Sequence, residues 1–255
     1  MIYRIKKLLY AILPTAWYLA SMQRGFFLLF DLGLLRKDSR FKFHYAIQKL
    51  IKNEDVVLDI GANLGYFSKL FARKNRQGKL IAIEPIPPFY KRLKHILSSF
   101  SQVEILNVAL GAEKGKLHMA MPVQEGVIRT GLPHVIEEES LSQFPDAIEV
   151  PVIEAKGFFK ELKHLNYIKC DIEGYEWVVF SGIQEEINRL RPLVQIEISE
   201  LHVAEFLQYF SQIDYVQCGL YEGKLKEEKG RQAETSDYLF IPKEKKEEIF
   251  NTFNA

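Results

Sequence analysis

Cysteine is scarce in this chain, and so is any excess of charge. Cys170 and Cys218 are the two cysteines among 255 residues, and they form no C-x-x-C pair. This spacing argues against a disulfide framework and a thioredoxin-like redox motif, and it fits a reducing cytoplasm. The net charge is +1, because 34 basic residues almost balance 33 acidic ones. The chain as a whole therefore has no electrostatic attraction to nucleic acid, and we expect no such partner.

A long uninterrupted apolar run is also missing. The most apolar stretch, residues 8–20, follows two lysines, but Pro14 breaks it and Arg24 comes soon after. A transmembrane helix needs about 20 consecutive apolar residues, and no small-residue cleavage site marks a signal peptide. Two hypotheses remain for residues 1–35. One, which we favour, is a helical cap packed on its own domain or on the second subunit of a homodimer. The other is an interfacial helix that attaches a cytoplasmic protein peripherally to a membrane.

Motifs of several common enzyme classes are absent. The chain has no G-x-S-x-G elbow for acyl transfer and no H-x-x-x-H pair for zinc. It also lacks the P-loop Lys-Ser/Thr pair and the G-x-G-x-x-G of dinucleotide sites. A phosphate cradle is therefore disfavoured.

The segment VVLDIGANLGY at residues 56–66 is present instead. A short apolar run ends at Asp59, a turn holds Gly61 and Gly65, and a helical pattern follows. This order is typical of a buried parallel strand that leads into a helix, and the glycines let a ligand approach the backbone closely. A strand-end acid with this looser turn suits a ligand with an amine, a carboxylate and a ribose, such as S-adenosylmethionine (SAM). An ordinary strand-to-helix turn is the alternative.

Strand and helix patterns alternate from residue 56 to residue 198. The alternation predicts parallel strands with helices on both faces, joined by right-handed crossovers. Two closing strands, at 215–218 and 238–241, have no helical pattern between them and predict an antiparallel edge. We divide the chain into a helical extension (1–52), an α/β domain (53–243) and a charged tail (244–255) that we expect to fray.

Polar residues follow the second and third predicted strands. The carboxyl ends of parallel strands meet at one edge of a sheet, where such proteins bind ligands. Glu84 ends the second strand, and a carboxylate there can accept hydrogen bonds from both hydroxyls of a ribose; the alternative is a surface acid. Asn107 ends the third strand. It either borders an adenine, together with the backbone of Val108 and Ala109, or satisfies a turn.

Charges are densest in the segment KCDIEGYE, residues 169–176. Lys169, Asp171 and Glu173 point to the same side of an extended strand. Because a core strand does not bury three unpaired charges, we expect them at its carboxyl end, in the pocket. Two carboxylates beside a lysine can tune a general base or hold a divalent cation, and Glu197 at the end of the fifth strand can join them. A structural salt-bridge network is the alternative.

Residues 122–149 show no clear periodicity. Long connections of this kind are often lids or substrate loops. We therefore expect Arg129 and His134, with His202 after the fifth strand, to contact the substrate.

In order and spacing, the segments VVLDIGANLGYFS, IAIEPIP, NVALG, YIKCDIEGYEW and RPLVQIEIS resemble FkbM-type SAM-dependent methyltransferases. The resemblance covers residues 56–199. It implies the class I methyltransferase fold, a Rossmann-like α/β sheet of seven mainly parallel strands with helices on both faces and the last strand antiparallel. The cofactor contacts that it implies are Asp59, Gly61, Ala62, Asn63, Gly65, Tyr66, Phe67, Glu84, Pro85, Asn107, Val108 and Ala109.

The resemblance also implies an acceptor side lined by Lys169, Asp171, Glu173 and Glu197. Family members typically methylate hydroxyl groups on sugars or natural products, so we expect an O-methyltransferase for a glycan or small molecule. Asp171 is our first choice of general base and Glu173 our second, and a divalent metal is a variant of this mechanism. Tyr175 and residues 118–140 depart from the family pattern, which leaves the acceptor open. The rival hypotheses are a nucleotide-dependent oxidoreductase and a non-catalytic binding or membrane-associated protein.

Overall fold

A computed structural model describes residues 2–121, 123–124, 127–128, 133–231 and 236–254. The α-helices are α1 (Ile2–Ile12), α2 (Thr15–Asp31), α3 (Lys42–Leu50), α4 (Ser68–Lys74), α5 (Pro87–Leu97), α6 (Ala155–Glu161), α7 (Glu176–Phe180), α8 (Gln184–Leu190), α9 (Val203–Gln212) and α10 (Lys246–Asn254). The strands are β1 (Val56–Ile60), β2 (Lys79–Ile83), β3 (Val103–Leu106), β4 (Ala109–Gly111), β5 (Gly115–Ala120), β6 (Val123–Gln124), β7 (Val127–Ile128), β8 (His134–Ile136), β9 (Ile148–Glu154), β10 (Tyr167–Cys170), β11 (Leu193–Glu197), β12 (Tyr215–Tyr221), β13 (Lys224–Glu227) and β14 (Asp237–Pro242).

The main sheet has the strand order β13-β12-β14-β11-β10-β1-β2-β3. Strands β1, β2, β3, β10 and β11 are parallel, and β14 runs antiparallel between β11 and β12. The predicted mainly parallel sheet with an antiparallel late strand is therefore confirmed. The predicted number of seven strands is wrong, because the charged segment Lys224–Glu227 forms an eighth strand that pairs with β12.

Side chains of successive strand residues enter two different hydrophobic cores. In β1, Leu58 packs on the side of helices α6 to α9, and Val57 packs on the side of α3, α4, α5 and α10. This alternation follows from the period of two in a strand. Asp59 shares the face of Val57, and it is fully buried there.

A second sheet follows β3, in the order β4-β9-β5-β8. Strand β9 pairs in parallel with β4 and antiparallel with β5, which in turn pairs with β8. The absence of periodicity in residues 122–149 did not indicate β8, which is only three residues long. This inserted sheet lies between the third and fourth parallel strands of the chain and leads into α6.

The C-terminal segment is ordered, so the expectation that it frays is wrong. Phe253 in α10 is 2% exposed. The side chain of Asn254 accepts a hydrogen bond from the backbone nitrogen of Leu225 at 2.8 Å and donates one to its carbonyl oxygen at 3.1 Å. Lys49 donates from Nζ to the carbonyl oxygen of Phe253 at 2.7 Å. The charged composition of this segment belongs to the outer face of an amphipathic helix.

Truncation of Phe253 should measurably destabilise the fold. Phe253→Ala removes a buried aromatic ring, and we expect the free energy of unfolding to fall by about 3 kcal/mol. Urea denaturation monitored by circular dichroism measures it. Thr252→Ala is the control, because the neighbouring Thr252 is exposed. If both variants lowered the free energy of unfolding by the same small amount, Phe253 would not be part of the core and α10 would not be packed on the domain.

The N-terminal helices pack on the same domain. Tyr18, Leu19, Phe27 and Phe30 of α2 are buried, and the ring of Phe26 lies 4.6 Å from that of Tyr66. This packing is the intramolecular form of the predicted cap. Across the described residues, no helix combines the length and the apolar character needed to cross a membrane.

Candidate active site

A cavity of about 310 Å³ opens at the carboxyl ends of the parallel strands. Four neighbouring strands bring their predicted residues to it, since Gly61 follows β1, Glu84 follows β2, Asp171 follows β10 and Glu197 ends β11. The complete lining is Gly61, Asn63, Glu84, Pro85, Ile86, Phe89, Met119, Pro133, Asp171, Ile172, Glu173 and Glu197. The cavity thus joins residues predicted for the cofactor with residues predicted for the acceptor.

The turn after β1 has a backbone that glycine tolerates best. Gly61 has φ +77°, Asn63 +53° and Gly65 +82°. The backbone nitrogens of Gly61 and Ala62 both donate to the carbonyl oxygen of Ile83, at 3.0 and 2.9 Å. These bonds tie the turn to the end of β2. A β-carbon on Gly61 would lie 1.9 Å from the carbonyl oxygen of Asp171, so this turn and the loop after β10 touch directly.

Glu84 is held by this turn and is 4% exposed. Its Oε2 accepts from the backbone nitrogen of Asn63 at 2.7 Å, and its Oε1 accepts from that of Ile86 at 2.8 Å. Burial raises the pKa of Glu84 to about 7, although the two backbone donors oppose this shift. The carboxylate is fixed in orientation at the cavity wall.

These residues fit the SAM site that the sequence predicts. Each Glu84 oxygen has one backbone donor, which leaves further lone pairs for the two hydroxyl groups of a ribose. A buried acid with a raised pKa is stabilised in its ionised form by such donors. Gly61 and Asn63 of the glycine turn line the cavity beside it.

Asp171 is paired with a buried lysine. Lys169 Nζ lies 2.7 Å from Asp171 Oδ2, and the lysine side chain is 4% exposed. Burial disfavours the charge of Lys169, but the carboxylates of Asp171 and Asp59 outweigh it and raise its pKa. Lys169 lies behind Asp171 and does not line the cavity. Its ammonium orients Asp171, which itself lines the cavity.

Two more acids face the cavity beside Asp171. Burial first, and then the charges of Asp171 and Glu197, raise the pKa of Glu173 to about 8. Burial and the charge of Asp171 likewise raise the pKa of Glu197 to about 7, although Ser236 donates to it at 2.7 Å. Glu173 has φ +53°, a backbone conformation that is uncommon outside glycine and often found at functional sites. At neutral pH these two groups can both donate and accept hydrogen bonds.

Several predicted cofactor residues lie outside the cavity lining. Asp59 is fully buried below the turn, where its Oδ2 accepts from Ser68 Oγ. Asn107 Nδ2 donates to the carbonyl oxygens of Glu84 and Pro85, both at 2.8 Å, so it shapes the turn that follows β2. Phe67 stacks on the ring of His44 at 3.8 Å.

The other members of the predicted cofactor set lie around this turn. Tyr66 packs against Phe26 of the N-terminal helices, and Ala109 begins β4. Ala62, Gly65 and Val108 do not line the cavity, whereas Gly61, Asn63, Glu84 and Pro85 do. The cofactor roles of all these residues stay predictions.

The predicted substrate residues are also divided. Glu197 lines the cavity. His202 stacks on Trp177 with 6.1 Å between ring centroids, and His134 contacts the ring of Phe144; neither lines the cavity. Arg129 lies outside the described residues. Within the ranges described above, no three His, Cys, Asp or Glu side chains converge as metal ligands.

One charged residue of the site escaped the sequence analysis. Asp237 begins β14 and pairs with Glu197 in the sheet. It is partly exposed, and desolvation followed by the charge of Asp171 raises its pKa. Because β14 is antiparallel, its first residue lies at the edge where the parallel strands end. The sequence feature that could have identified Asp237 is its position directly before the predicted antiparallel strand at residues 238–241.

The apolar wall of the cavity was missed as well. Phe89 comes from α5, and Met119 and Pro133 come from the inserted sheet and the residue before β8. These residues are far apart in sequence and carry no motif. Only the tertiary arrangement brings them together.

Comparison with known proteins agrees with this geometry. The Methyltransferase FkbM domain family matches residues 59–220, more than half of the chain. This chain belongs to the FkbM family of SAM-dependent methyltransferases. The match begins at Asp59 and ends in β12, so the FkbM domain contains every described residue of the cavity wall.

Two relatives of this FkbM protein share about a quarter of the aligned residues with it. "Methyltransferase 1" of Beauveria bassiana is 26% identical over 164 residues, which cover 58% of this chain and 66% of that protein. "2-O-methyltransferase NoeI" of Sinorhizobium fredii is 24% identical over 185 residues, which cover 68% of this chain and 75% of that protein. The chain thus spans about two thirds of the first relative's length.

A solved structure of the family has the same fold. The crystal structure of Methyltransferase FkbM from Methylobacillus flagellatus KT superposes with a TM-score of 0.50 at 14% identity. The superposition covers 74% of this chain and 44% of that chain. At this identity the comparison supports the fold alone.

Proposed function

We propose that this protein transfers the methyl group of SAM to a hydroxyl oxygen of a glycan or small molecule, with Asp171 as the general base. The observation that carries the proposal is that one cavity contains both Glu84 and Asp171, the latter paired with Lys169. Glu84 suits the ribose of the cofactor, and Asp171 suits the acceptor. A non-catalytic binding protein has no need of an oriented carboxylate beside the cofactor acid.

Each residue has a defined task in this mechanism. SAM supplies a methyl group that its sulfonium already activates. Glu84 and the turn of Gly61 and Asn63 hold the cofactor, which fixes one reaction partner in the cavity. Asp171 Oδ1 accepts the proton of the acceptor hydroxyl as that oxygen becomes nucleophilic. Lys169 keeps Asp171 in place through Oδ2 and stabilises its charge before the proton arrives.

The acids around Asp171 support a polyhydroxylated acceptor. With pKa values of about 8 and about 7, Glu173 and Glu197 are partly protonated near neutral pH. Neighbouring carboxyl groups that both donate and accept hydrogen bonds suit the several hydroxyls of a sugar. The name of the relative NoeI, a 2-O-methyltransferase, agrees with this chemistry.

Cofactor binding should depend on Glu84. In calorimetric titration with S-adenosylhomocysteine, the demethylated product, we expect Glu84→Ala to weaken binding about 100-fold, because two hydrogen bonds to a carboxylate are lost. Glu104→Ala is the matched control, since Glu104 is a half-exposed acid on the neighbouring strand β3. If a folded wild-type protein failed to bind S-adenosylhomocysteine, the SAM proposal would be rejected.

The same titration should be pH-dependent. The pKa of Glu84 is about 7, and its ionised form is the one that accepts both ribose hydroxyls. Binding therefore weakens as pH falls through that pKa, by about tenfold between about pH 8 and about pH 6. The charge of Asp59 raises the pKa of Glu84, and the charge of Lys169 lowers it. Glu84→Gln should remove the dependence, and a wild-type affinity that is constant over this range would argue against the ribose contact.

The reaction itself is tested with labelled SAM and a panel of sugars, glycans and hydroxylated small molecules. Hydroxyl methylation leaves a methyl ether that survives mild base, whereas a methylated carboxylate is hydrolysed. Label that base releases from every accepted substrate would contradict O-methylation. Parallel reactions with and without a chelator decide whether a divalent cation is required.

A further inference from the structure

The exposed large apolar side chains of the described residues are concentrated in one stretch of the sequence. Eight large hydrophobic residues of the described part of the chain are exposed, and seven of them lie between residues 8 and 34. We name these seven the N-terminal apolar face: Leu8, Ile12, Trp17, Leu28, Leu29, Leu32 and Leu34. Trp17 is 67% exposed. Single exposed apolar residues need no explanation, but a cluster of this size marks an interaction site.

The face is built on a helix whose opposite side is already in the core. Tyr18, Leu19 and Phe27 of α2 are buried, whereas Trp17 and Leu28 point outward. Trp17 and Leu28 are 11 positions apart, about three helical turns, so they share one side over roughly 16 Å. In α1, Leu8 and Ile12 are one turn apart and share a side as well. A helix that is apolar on both sides is expected to be covered on both.

The charges around the face define the chemistry of its partner. Residues 1–52 contain ten lysines and arginines but two acids, whereas the remaining residues contain 24 basic and 31 acidic ones. Both acids of the segment are paired, Asp31 with Arg73 and Asp38 with Arg40. The net charge of +1 therefore hides a strongly basic region on an acidic protein. A basic segment that carries exposed apolar residues is complementary in charge to an anionic surface.

We propose that the N-terminal apolar face lies on an anionic lipid bilayer. Trp17 and the leucines enter the boundary between headgroups and acyl chains, and the exposed Lys6, Lys7 and Arg24 meet the lipid charges. A second copy of the chain fits less well, because a two-fold interface would bring the same basic residues together. The attachment is peripheral, since no described helix can cross the membrane.

The test uses the full chain and point substitutions, because the rear of α2 is part of the core and a truncation would expose it. Sedimentation with vesicles of phosphatidylcholine and phosphatidylglycerol is compared with vesicles of phosphatidylcholine alone. We expect binding to the anionic vesicles that decreases with salt. The triple variant Leu8→Glu, Ile12→Glu, Trp17→Glu should reduce this binding at least about tenfold. Leu201→Glu is the matched control, since Leu201 is the remaining exposed residue of the eight, and it should bind like wild type.

A spectroscopic reading is independent of sedimentation. The chain has two tryptophans, so Trp177→Phe leaves Trp17 as the sole reporter, and its emission should shift to shorter wavelength with anionic vesicles. Circular dichroism verifies that each variant is folded. Absence of binding by folded wild type, equal binding to neutral vesicles, or equal loss in Leu201→Glu overturns the proposal. A dimer in solution that Trp17→Glu dissociates, without vesicle binding, assigns the face to a second copy instead.

Discussion

Replacing Asp171 with asparagine should lower the rate of methyl transfer by about 10²- to 10⁴-fold. The substitution preserves size and leaves an acceptor for Lys169, but an amide cannot take the proton of a hydroxyl group. Binding of S-adenosylhomocysteine should remain near that of wild type, because our proposal assigns Asp171 to the acceptor and not to the cofactor. Single-turnover rates with labelled SAM, beside a cofactor titration of the same variant, measure both quantities.

Glu173 provides the competing assignment of the base. If Glu173 accepts the proton, the wild-type rate should rise as pH passes about 8, its pKa, and Glu173→Gln should cost more than Asp171→Asn. If Asp171 is the base, Glu173→Gln changes mainly the KM of the acceptor. Glu54→Gln is the control, since Glu54 is exposed and precedes β1, at the edge of the sheet opposite the cavity. Full activity of Asp171→Asn would show that Asp171 is not the general base.

Replacing Gly61 with alanine should be the most disruptive single change to the cofactor turn. The added β-carbon would lie 1.9 Å from the carbonyl oxygen of Asp171 and 2.9 Å from Cγ2 of Ile172, and the φ of +77° is itself unfavourable for alanine. Because the nearest atom is backbone, no side-chain rotation relieves the clash. We expect a loss of about 3–5 kcal/mol in the free energy of unfolding. Urea denaturation measures this loss. A titration with S-adenosylhomocysteine measures whether the altered turn still binds this ligand.

Gly115 offers a matched control for this substitution. Its φ is not positive, and nothing lies within 4 Å of the position that a β-carbon would occupy. Gly115→Ala should therefore change stability by less than about 0.5 kcal/mol. Similar stabilities of the two variants would show that the turn can move away from the loop after β10.

The sequence predicted the elements whose local pattern and tertiary role agree. Short apolar runs that end in acids indicated β1, β2, β10 and β11, and their order placed Glu84 and Asp171 at one edge. Those strands are buried on both faces, so burial leaves a continuous apolar signal. The same reasoning placed Lys169 beside Asp171.

The elements that were missed have weaker local signals. Strand β13 consists largely of charged residues because it lies at the sheet edge, and α10 was interpreted as a tail because its outer face is charged. Tyr66 and Phe67 follow the cofactor turn in sequence, but they lie just before α4 and pack on Phe26 and His44 of the N-terminal helices. Asp237 was missed because its place at the site depends on the antiparallel direction of β14. Each of these outcomes depends on contacts between distant segments.

The inserted sheet between β3 and α6 has a consequence for how this enzyme could change its specificity. Met119 and Pro133 bring this segment to the cavity, whereas Gly61, Glu84 and Asp171 come from the ends of the main strands. Because the two sets are on separate stretches of chain, residues 109–154 can diverge in length and shape while the reaction centre is retained. Descendants of a common ancestor could thus acquire new acceptors through this one segment. A chimaera that exchanges it between two such enzymes should inherit the acceptor of the donor and the cofactor affinity of the recipient.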